Sequence, residues 1–176
     1  MEGPHVSATK KGCQARSKTK VMLLAFFDSE GIVHHEYAPD GQTINKGFYV
    51  EVLWRLRESV RRKQPEKWRD GDWIPHRNNA PAHTSHLVQQ FLAKHGTAQL
   101  QQLPHSPDLT PCDLFLFPTL KKVLKGHLFV STEDIKWNST NTLLDIPKEE
   151  FAKCFQQWQK CWAKCVAAEG KYAEDN

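Results

Sequence analysis

Asn78 and Asp113 lie where a metal-dependent active site would place its ligands. Asn78 falls in "IPHRNNAPAHTS", which has the pattern of a strand end, a turn and a helix start. Asp113 falls at the predicted start of another helix, with 34 residues between the two positions. Metal-dependent phosphoryl transfer needs several hard oxygen ligands that converge from different elements. The spacing lets these two positions converge, but Asn78 offers a neutral amide instead of a carboxylate.

A second set of candidate ligands consists of cysteines near the C-terminus. Cys154, Cys161 and Cys165 lie on one face of a predicted helix, which two tryptophans and two phenylalanines share. Zinc sites usually pair close ligands across a turn, whereas free cysteine packs as a small hydrophobe. The pattern therefore favours a core face over a metal site.

Histidines form the third set. His83 and His86 lie three residues apart at a predicted helix start, where two imidazoles could bind one metal ion. Their possible partners are His76, His34 and His35. No second pair has the spacing of a metal site, so the carboxylate-type pair, Asn78 and Asp113, is the more informative candidate.

Apolar periodicity predicts the elements that must position these residues. A hairpin of strands Val21–Phe27 and Ile32–Ala38 comes first. A helix capped by Thr43 and ended by Pro65 follows, with a core stripe of Phe48, Tyr49, Val52, Leu53, Leu56 and Val60. The later elements are strand Asp72–Arg77, helix Thr84–His95 with Gly96 behind it, strand Thr97–Leu103, a helix from Asp113 to Gly126, and a long helix from Pro147. This order predicts an α/β or α+β domain with a mixed sheet.

Composition limits the class of protein. With 176 residues, 39% hydrophobic and 25% charged, the chain suits one soluble globular domain. Its five cysteines, an odd number, argue for a reducing compartment and against a disulfide framework. No apolar run reaches the length of a membrane span, so a membrane partner is not expected.

Basic residues are concentrated in two segments. No acidic residue occurs between Gly3 and Phe27, and residues 1–20 have the composition of a flexible arm. The basic residues of this arm are Lys10, Lys11, Arg16, Lys18 and Lys20. The second run follows an apolar helical stripe and comprises Arg55, Arg57, Arg61, Arg62, Lys63 and Lys67. Such patches suit a polyanion such as DNA, although a tail and a solvated helix face would have the same composition.

Two motifs and their separation are more specific than charge. "NNAPAHT" precedes "HSPDLTPCDLFLFP" with 34 residues between Asn78 and Asp113, and the flanks are "FFDSEGIVHHEYAPDGQTIN" and "WQKCWAKCVAAEGKY". These segments resemble the catalytic half of mariner-type DNA transposases, which carry HDNAPAHT and SPDLAPxD at the corresponding places. The resemblance spans nearly everything from about residue 10 onward.

The resemblance implies a ribonuclease-H-like fold with flanking helices, in which three acidic residues bind two magnesium or manganese ions and cut DNA. Asn78 matches the second acidic position and Asp113 the third. The first, on the family's first strand, has no counterpart, and Asp28 is no substitute because it lies in the hairpin turn. Catalytic inactivity and loose metal binding are therefore expected, because an amide brings no charge to balance the ions. The implied location is nuclear; without the resemblance it would be cytoplasmic.

The resemblance also predicts an N-terminally truncated and degenerate domain. Residues 21–176 would form a partial catalytic domain that lacks the first central strand, and the modules that read transposon ends would be absent. The sheet is then expected to split, with the hairpin on one side and strands Asp72–Arg77 and Thr97–Leu103 on the other. Pro75 further weakens the strand before Asn78. Exposed edges would favour self-association. Non-specific DNA binding by the basic residues and a relic without function are the alternatives to an inactive transposase.

Overall fold

The computed structural model describes residues 20–102 and 109–168. Four strands lie in this part of the chain: β1 (Leu23–Asp28), β2 (Gly31–Tyr37), β3 (His76–Arg77) and β4 (Leu100–Gln101). Its helices are α1 (Lys46–Lys63), α2 (Pro65–Asp70), α3 (Pro81–Thr84), α4 (His86–Lys94), α5 (Phe117–Leu124), α6 (Thr132–Asp145) and α7 (Lys148–Ala167). A π-helical segment, Cys112–Leu116, leads directly into α5. Most of the predicted arm, including Lys10, Lys11, Arg16 and Lys18, lies outside the described residues.

The hairpin and the first long helix form as predicted, with one correction at the helix start. β1 and β2 pair antiparallel from Leu23 opposite Tyr37 to Asp28 opposite Gly31, with an irregularity between Phe26 and Phe27. The cap of α1 is Asn45, whose Oδ1 accepts the N–H of Phe48 at 2.9 Å. Thr43 is not the cap because it lies two residues too early to reach the first turn.

The elements around Asn78 are shorter than predicted. β3 and β4 have two residues each and pair in parallel, and the N–H of Leu100 bonds to the carbonyl of Pro75 at 3.2 Å. Pro75 has no N–H to extend the ladder, which explains the short strand. The predicted helix Thr84–His95 is instead the short α3 followed by α4, with Ser85 in extended conformation between them. Gly96 follows α4 with φ of +60°, as a helix end requires.

The C-terminal part contains a helix that periodicity did not predict. α6 begins after Ser131, whose side chain accepts the N–H of Asp134 at 3.1 Å. Its sequence, rich in Asn, Ser and Thr, carries little apolar periodicity, so only its cap signalled a helix. Tyr37 of β2 fixes it in place, since the Tyr37 hydroxyl donates to the Lys136 carbonyl at 3.1 Å and lies 2.7 Å from Ser139 Oγ.

Two separate apolar clusters build the core. The larger lies between the hairpin, α1 and α4, and its buried members are Val33, Tyr49, Val52, Leu53, Leu56, Val60, Val88, Phe91 and Leu92. The smaller joins α5, α6 and α7 to the other side of β1 through Leu116, Leu120, Leu143 and Phe151. Cys154 is buried on α7, but Cys161 and Cys165 are only half-buried, so the predicted core face is confirmed for Cys154 alone.

The sheet is split, as predicted. Among the described residues, β1 pairs with β2 and β3 pairs with β4, and no strand joins the two pairs. The architecture is therefore a mixture of antiparallel and parallel pairs covered by helices. A cavity of about 990 Å³ lies between the two pairs, and it contains the candidate site.

Candidate metal and nucleic-acid site

Asn78 is held at the tip of β3 by the turn that follows it. Its Oδ1 accepts the N–H of Ala80 at 3.3 Å, and its side chain is exposed. The neighbouring Asn79 donates from Nδ2 to the Gln102 carbonyl at 2.8 Å, which ties the turn to the chain behind β4. Asn78 thus lies on the rim of the cavity, with its amide oxygen engaged by the backbone.

Asp113 also borders this cavity. It is the second residue of the π-helical segment, and its N–H bonds to the Thr110 carbonyl at 3.0 Å. Both Asp113 and Asn78 line this cavity, and their convergence on one metal site stays a prediction. Their roles as metal ligands remain a prediction.

The donor set does not fit a pair of divalent cations. Among the described residues, no group of three or more His, Cys, Asp or Glu side chains comes together to hold a metal ion. Asp113 supplies a carboxylate, whereas the amide of Asn78 is neutral, and two divalent ions need several anionic oxygens. In the described residues, His83, His86 and their possible histidine partners likewise do not come together as a group that could hold a metal ion.

Asp28, which also borders the cavity, is already paired. Its carboxylate accepts from Lys67 Nζ at 2.7 Å and from the Gln64 side chain. Burial acts to raise the pKa of Asp28, but these hydrogen bonds outweigh it and lower the pKa. Asp28 is therefore a structural anion of the hairpin turn.

Sequence reasoning missed a cluster of Arg77, Tyr49 and His83 at the centre of the cavity wall. Arg77 is 6% exposed and donates from Nη1 to the His83 carbonyl, and the rings of Tyr49 and His83 stack with centroids 3.9 Å apart. Burial, together with the Arg77 charge, lowers the pKa of His83 to about 4. Burial raises the pKa of Tyr49 to about 12. The signal was an arginine at the end of the predicted strand Asp72–Arg77, because an arginine is unusual at a position that becomes buried.

The predicted basic helix is largely engaged within the molecule. Arg55 forms a bidentate pair with Glu36 at 2.7 and 2.9 Å, and Arg61 pairs with Glu58. Arg57 lies over the ring of Trp68, and Lys63 donates to the Val33 carbonyl. Arg62 and Lys20 are exposed. DNA contact by Arg55, Arg61, Arg62 and Lys20 stays a prediction.

A second basic cluster, which the charge pattern did not single out, lies at the end of α5. Lys121, Lys122 and Lys125 are exposed, and within the described residues none of them has an acidic partner. Lys121 and Lys125 share a shallow pocket with Val21, which follows Lys20 in the chain. The α5 lysines thus present several uncompensated charges next to the start of the hairpin.

Comparisons with known proteins agree with this architecture. Residues 4–70 match the family described as "Transposase (partial DDE domain)". The chain is 32% identical over 175 residues to the Mariner Mos1 transposase of Drosophila mauritiana, covering 97% of this chain and 50% of that protein. It is 28% identical over 155 residues to the human histone-lysine N-methyltransferase SETMAR, covering 87% of this chain and 22% of that protein. The chain thus spans half or less of the length of these relatives.

Comparison with solved structures gives the fold class of this chain. The crystal structure of the catalytic domain of Mos1 mariner transposase superimposes with a TM-score of 0.80 and 29% identity, covering 88% of this chain and 76% of that one. This places the chain in the ribonuclease-H-like class. Sequence and fold together show that it is a mariner transposase catalytic-domain-like protein. Among the described residues, no helix has the length and apolar character needed to cross a membrane.

Proposed function

We propose that this chain keeps the fold of a mariner-type transposase catalytic domain but does not cleave DNA. The observation that carries the proposal is that Asn78 and Asp113 line one cavity as an amide and a carboxylate, while no three His, Cys, Asp or Glu side chains of the described residues come together to hold a metal ion. Solved Mos1 structures are described with Mn and with Mg, which supports divalent metal use by ancestry. Here the two matching positions offer one carboxylate and one amide, and a buried cation on the same cavity wall, Arg77, opposes the binding of further positive charge.

A plasmid-nicking assay with Mn²⁺ tests the proposal. The unmodified chain and Asp113→Ala should convert supercoiled plasmid at the same background rate. Asn78→Asp restores one carboxylate and should raise the affinity for Mn²⁺ without restoring nicking, because a second acidic ligand beside Asp113 still leaves the pair of ions short of anionic donors. Nicking by the unmodified chain that Asp113→Ala abolishes would show that it is an active nuclease.

Non-specific DNA binding is the second candidate function, and the α5 lysines favour it. A solved Mos1 structure is described as a paired-end complex with the left transposon end, which supports DNA as a partner by ancestry. Exposed lysines without acidic partners release counterions when they meet phosphates, so affinity should fall steeply with salt. A chain that binds chromosomal DNA in this way would work in the nucleus.

Duplex DNA of random sequence provides the measurement. Replacing Lys121, Lys122 and Lys125 with Gln should weaken binding and reduce the slope of log affinity against log salt by about 2 to 3. The matched control replaces Arg55 and Arg61 with Gln, two cations already paired with Glu36 and Glu58, and should change the slope less. Equal effects of the two variants would refute the assignment to α5. Absence of binding at low salt would favour the alternative of a relic without function.

A further inference from the structure

The stretch that leads into α5 packs against α7, and the two run in opposite directions. At one point of this contact, the rings of Phe115 and Phe151 have centroids 5.5 Å apart. At another, Trp158 Nε1 donates to the Leu109 carbonyl at 2.8 Å. The second contact comes earlier in the first stretch but later in α7. Because the order of the contacts reverses, the positions midway between them face each other.

Each of these midway positions is a cysteine. Cys112 lies three residues from each contact of its stretch, and Cys154 lies three and four residues from those of α7. Residues at this spacing share a helix face, so both cysteines lie on the contacting side. Cys154 is 4% exposed and Cys112 is half-buried. Burial, the Asp113 charge and the Cys154 charge together raise the pKa of Cys112 to about 12, and the Cys154 contribution is what two nearby sulfurs would show.

Two thiols that face each other across a helix contact can be oxidised to a disulfide. Cys161 and Cys165 lack this geometry, because residues four apart on one helix keep their Cβ atoms about 5 to 6 Å apart, whereas a disulfide needs roughly 4 Å. A disulfide is neutral, so it suits the apolar surroundings of Phe115 and Phe151 better than a charged metal thiolate would. The geometry therefore favours oxidation over metal binding for the buried pair.

We propose that Cys112 and Cys154 are a redox-responsive pair, which a small disulfide such as oxidised glutathione converts into an intramolecular disulfide. One protein thiol loses its proton and attacks a sulfur of oxidised glutathione, which breaks that S–S bond, leaves a mixed disulfide and releases one reduced glutathione. The other protein thiol loses its proton and attacks the protein sulfur of the mixed disulfide, which releases the second reduced glutathione. Asp113 follows Cys112 directly, so the new bond ties the start of the segment that carries Asp113 to α7.

Peptide mapping of the full chain tests this proposal. Trypsin places each of the five cysteines on a different peptide, because a lysine or arginine lies between every two of them. The chain is brought to equilibrium with mixtures of reduced and oxidised glutathione, alkylated and digested, since buried thiols of high pKa exchange slowly and a rate would mislead. The expected product is peptide 95–121 cross-linked to peptide 154–160. The ratio [GSH]²/[GSSG] at half-oxidation should be about tenfold or more higher in the native chain than in concentrated urea, because the fold holds the two sulfurs together.

Two variants on the same helix sharpen the test. In Cys154→Ala, peptide 95–121 should be recovered without the cross-link, whereas the matched control Cys161→Ala should keep it in full. Oxidation should raise the Tm of the unmodified chain by about 5 to 10 °C, and this rise should be absent in Cys154→Ala. The proposal is overturned if the unmodified chain stays reduced at every ratio, or if cross-links through Cys161 or Cys165 predominate. Equal half-oxidation ratios in native and urea-unfolded chain would overturn it as well.

Discussion

The hairpin half of the molecule (β1, β2 and α1) and the β3–β4 half differ in how completely their polar groups are paired. In the hairpin half, His34 lies between Ser59 Oγ at 3.0 Å and Glu36 Oε2 at 3.1 Å, and Glu36 also receives Arg55. In the β3–β4 half (β3, α3 and β4), the side-chain atoms His76 Nε2 and His83 Nδ1 are buried without a partner, whereas among the described residues of the hairpin half this holds only for Arg57 Nε. Buried polar groups that lack partners cost stability, so the second half is the weaker one.

The apolar packing differs in the same direction. Leu53 of α1 is 2% exposed inside the larger core cluster, whereas Leu100 of β4 is 38% exposed beside the cavity. The β3–β4 half thus combines short strands, an open cavity and unpaired polar atoms. The candidate residue Asn78 lies in this less completely packed half, directly after β3.

The halves should differ most in how much stability is lost when a leucine is shortened to alanine. Leu53→Ala should lower the free energy of unfolding by about 3 kcal/mol, because it removes buried methyl groups and leaves a hole in the larger cluster. Leu100→Ala, the same chemical change in the β3–β4 half, should cost less than about 1 kcal/mol. Urea denaturation measures both. Similar losses for the two leucines would show that the halves are equally well packed.

The next effect is the pH dependence of stability. Because the pKa of folded His83 is about 4 and that of unfolded histidine is near 6.5, the unfolded chain binds more protons between these values. The stability contributed by neutral His83 is therefore complete above pH 6.5 and lost as pH falls towards 4, by about 2 kcal/mol after allowance for partial exposure. His83→Gln should flatten this part of the curve.

His35 provides the control for this measurement in the hairpin half. Burial, with the nearby charges of His34 and Lys63, lowers the pKa of His35 as well, so its contribution has the same sign. The shift is smaller, and His35→Gln should flatten the curve between pH 6.5 and 4 less than His83→Gln does. A larger effect of His35→Gln would reverse the ranking of the two halves.

Two arginine substitutions should change the free energy of unfolding in opposite directions. Arg77→Met removes a buried cation without a carboxylate partner and should raise the free energy of unfolding by about 1 kcal/mol. Arg55→Met removes a bidentate, partly exposed pair with Glu36 and should lower it by about 0.5 kcal/mol. Thermal and urea unfolding of both variants give the comparison. Destabilisation by Arg77→Met would mean that its bond to the His83 carbonyl outweighs the cost of the buried charge.

The smallest expected effect separates two asparagines. Asn45→Ala removes the cap of α1, a 2.9 Å bond to the Phe48 N–H, and should cost about 1 kcal/mol. Asn78→Ala removes only the 3.3 Å bond to the Ala80 N–H at an exposed turn and should cost less than about 0.5 kcal/mol. A cost at Asn78 equal to that at Asn45 would indicate that Asn78 is kept for the turn and not as a trace of a metal site.

Much of the fold could be predicted from local patterns. The hairpin, the apolar stripe of α1 and the long α7 follow from periodicity and turn residues, because those signals are carried by neighbours in the chain. α6 could not be predicted in this way, since its Asn, Ser and Thr residues carry little apolar periodicity, and the Tyr37 hydrogen bonds that hold it join parts of the chain far apart in sequence. The strands β3 and β4 were predicted too long, because strand length depends on partners that Pro75 and the cavity do not provide.

The sequence by itself determined the candidate chemistry: an amide at Asn78, a carboxylate at Asp113 and the 34-residue spacing between them. Only the tertiary structure decided which cations are free. Arg55 is neutralised by Glu36 of β2, whereas among the described residues Arg77 is buried without a carboxylate at ion-pair distance. Charge pairing depends on which distant side chains come within a few ångströms of each other, and the order of residues along the chain does not specify that distance.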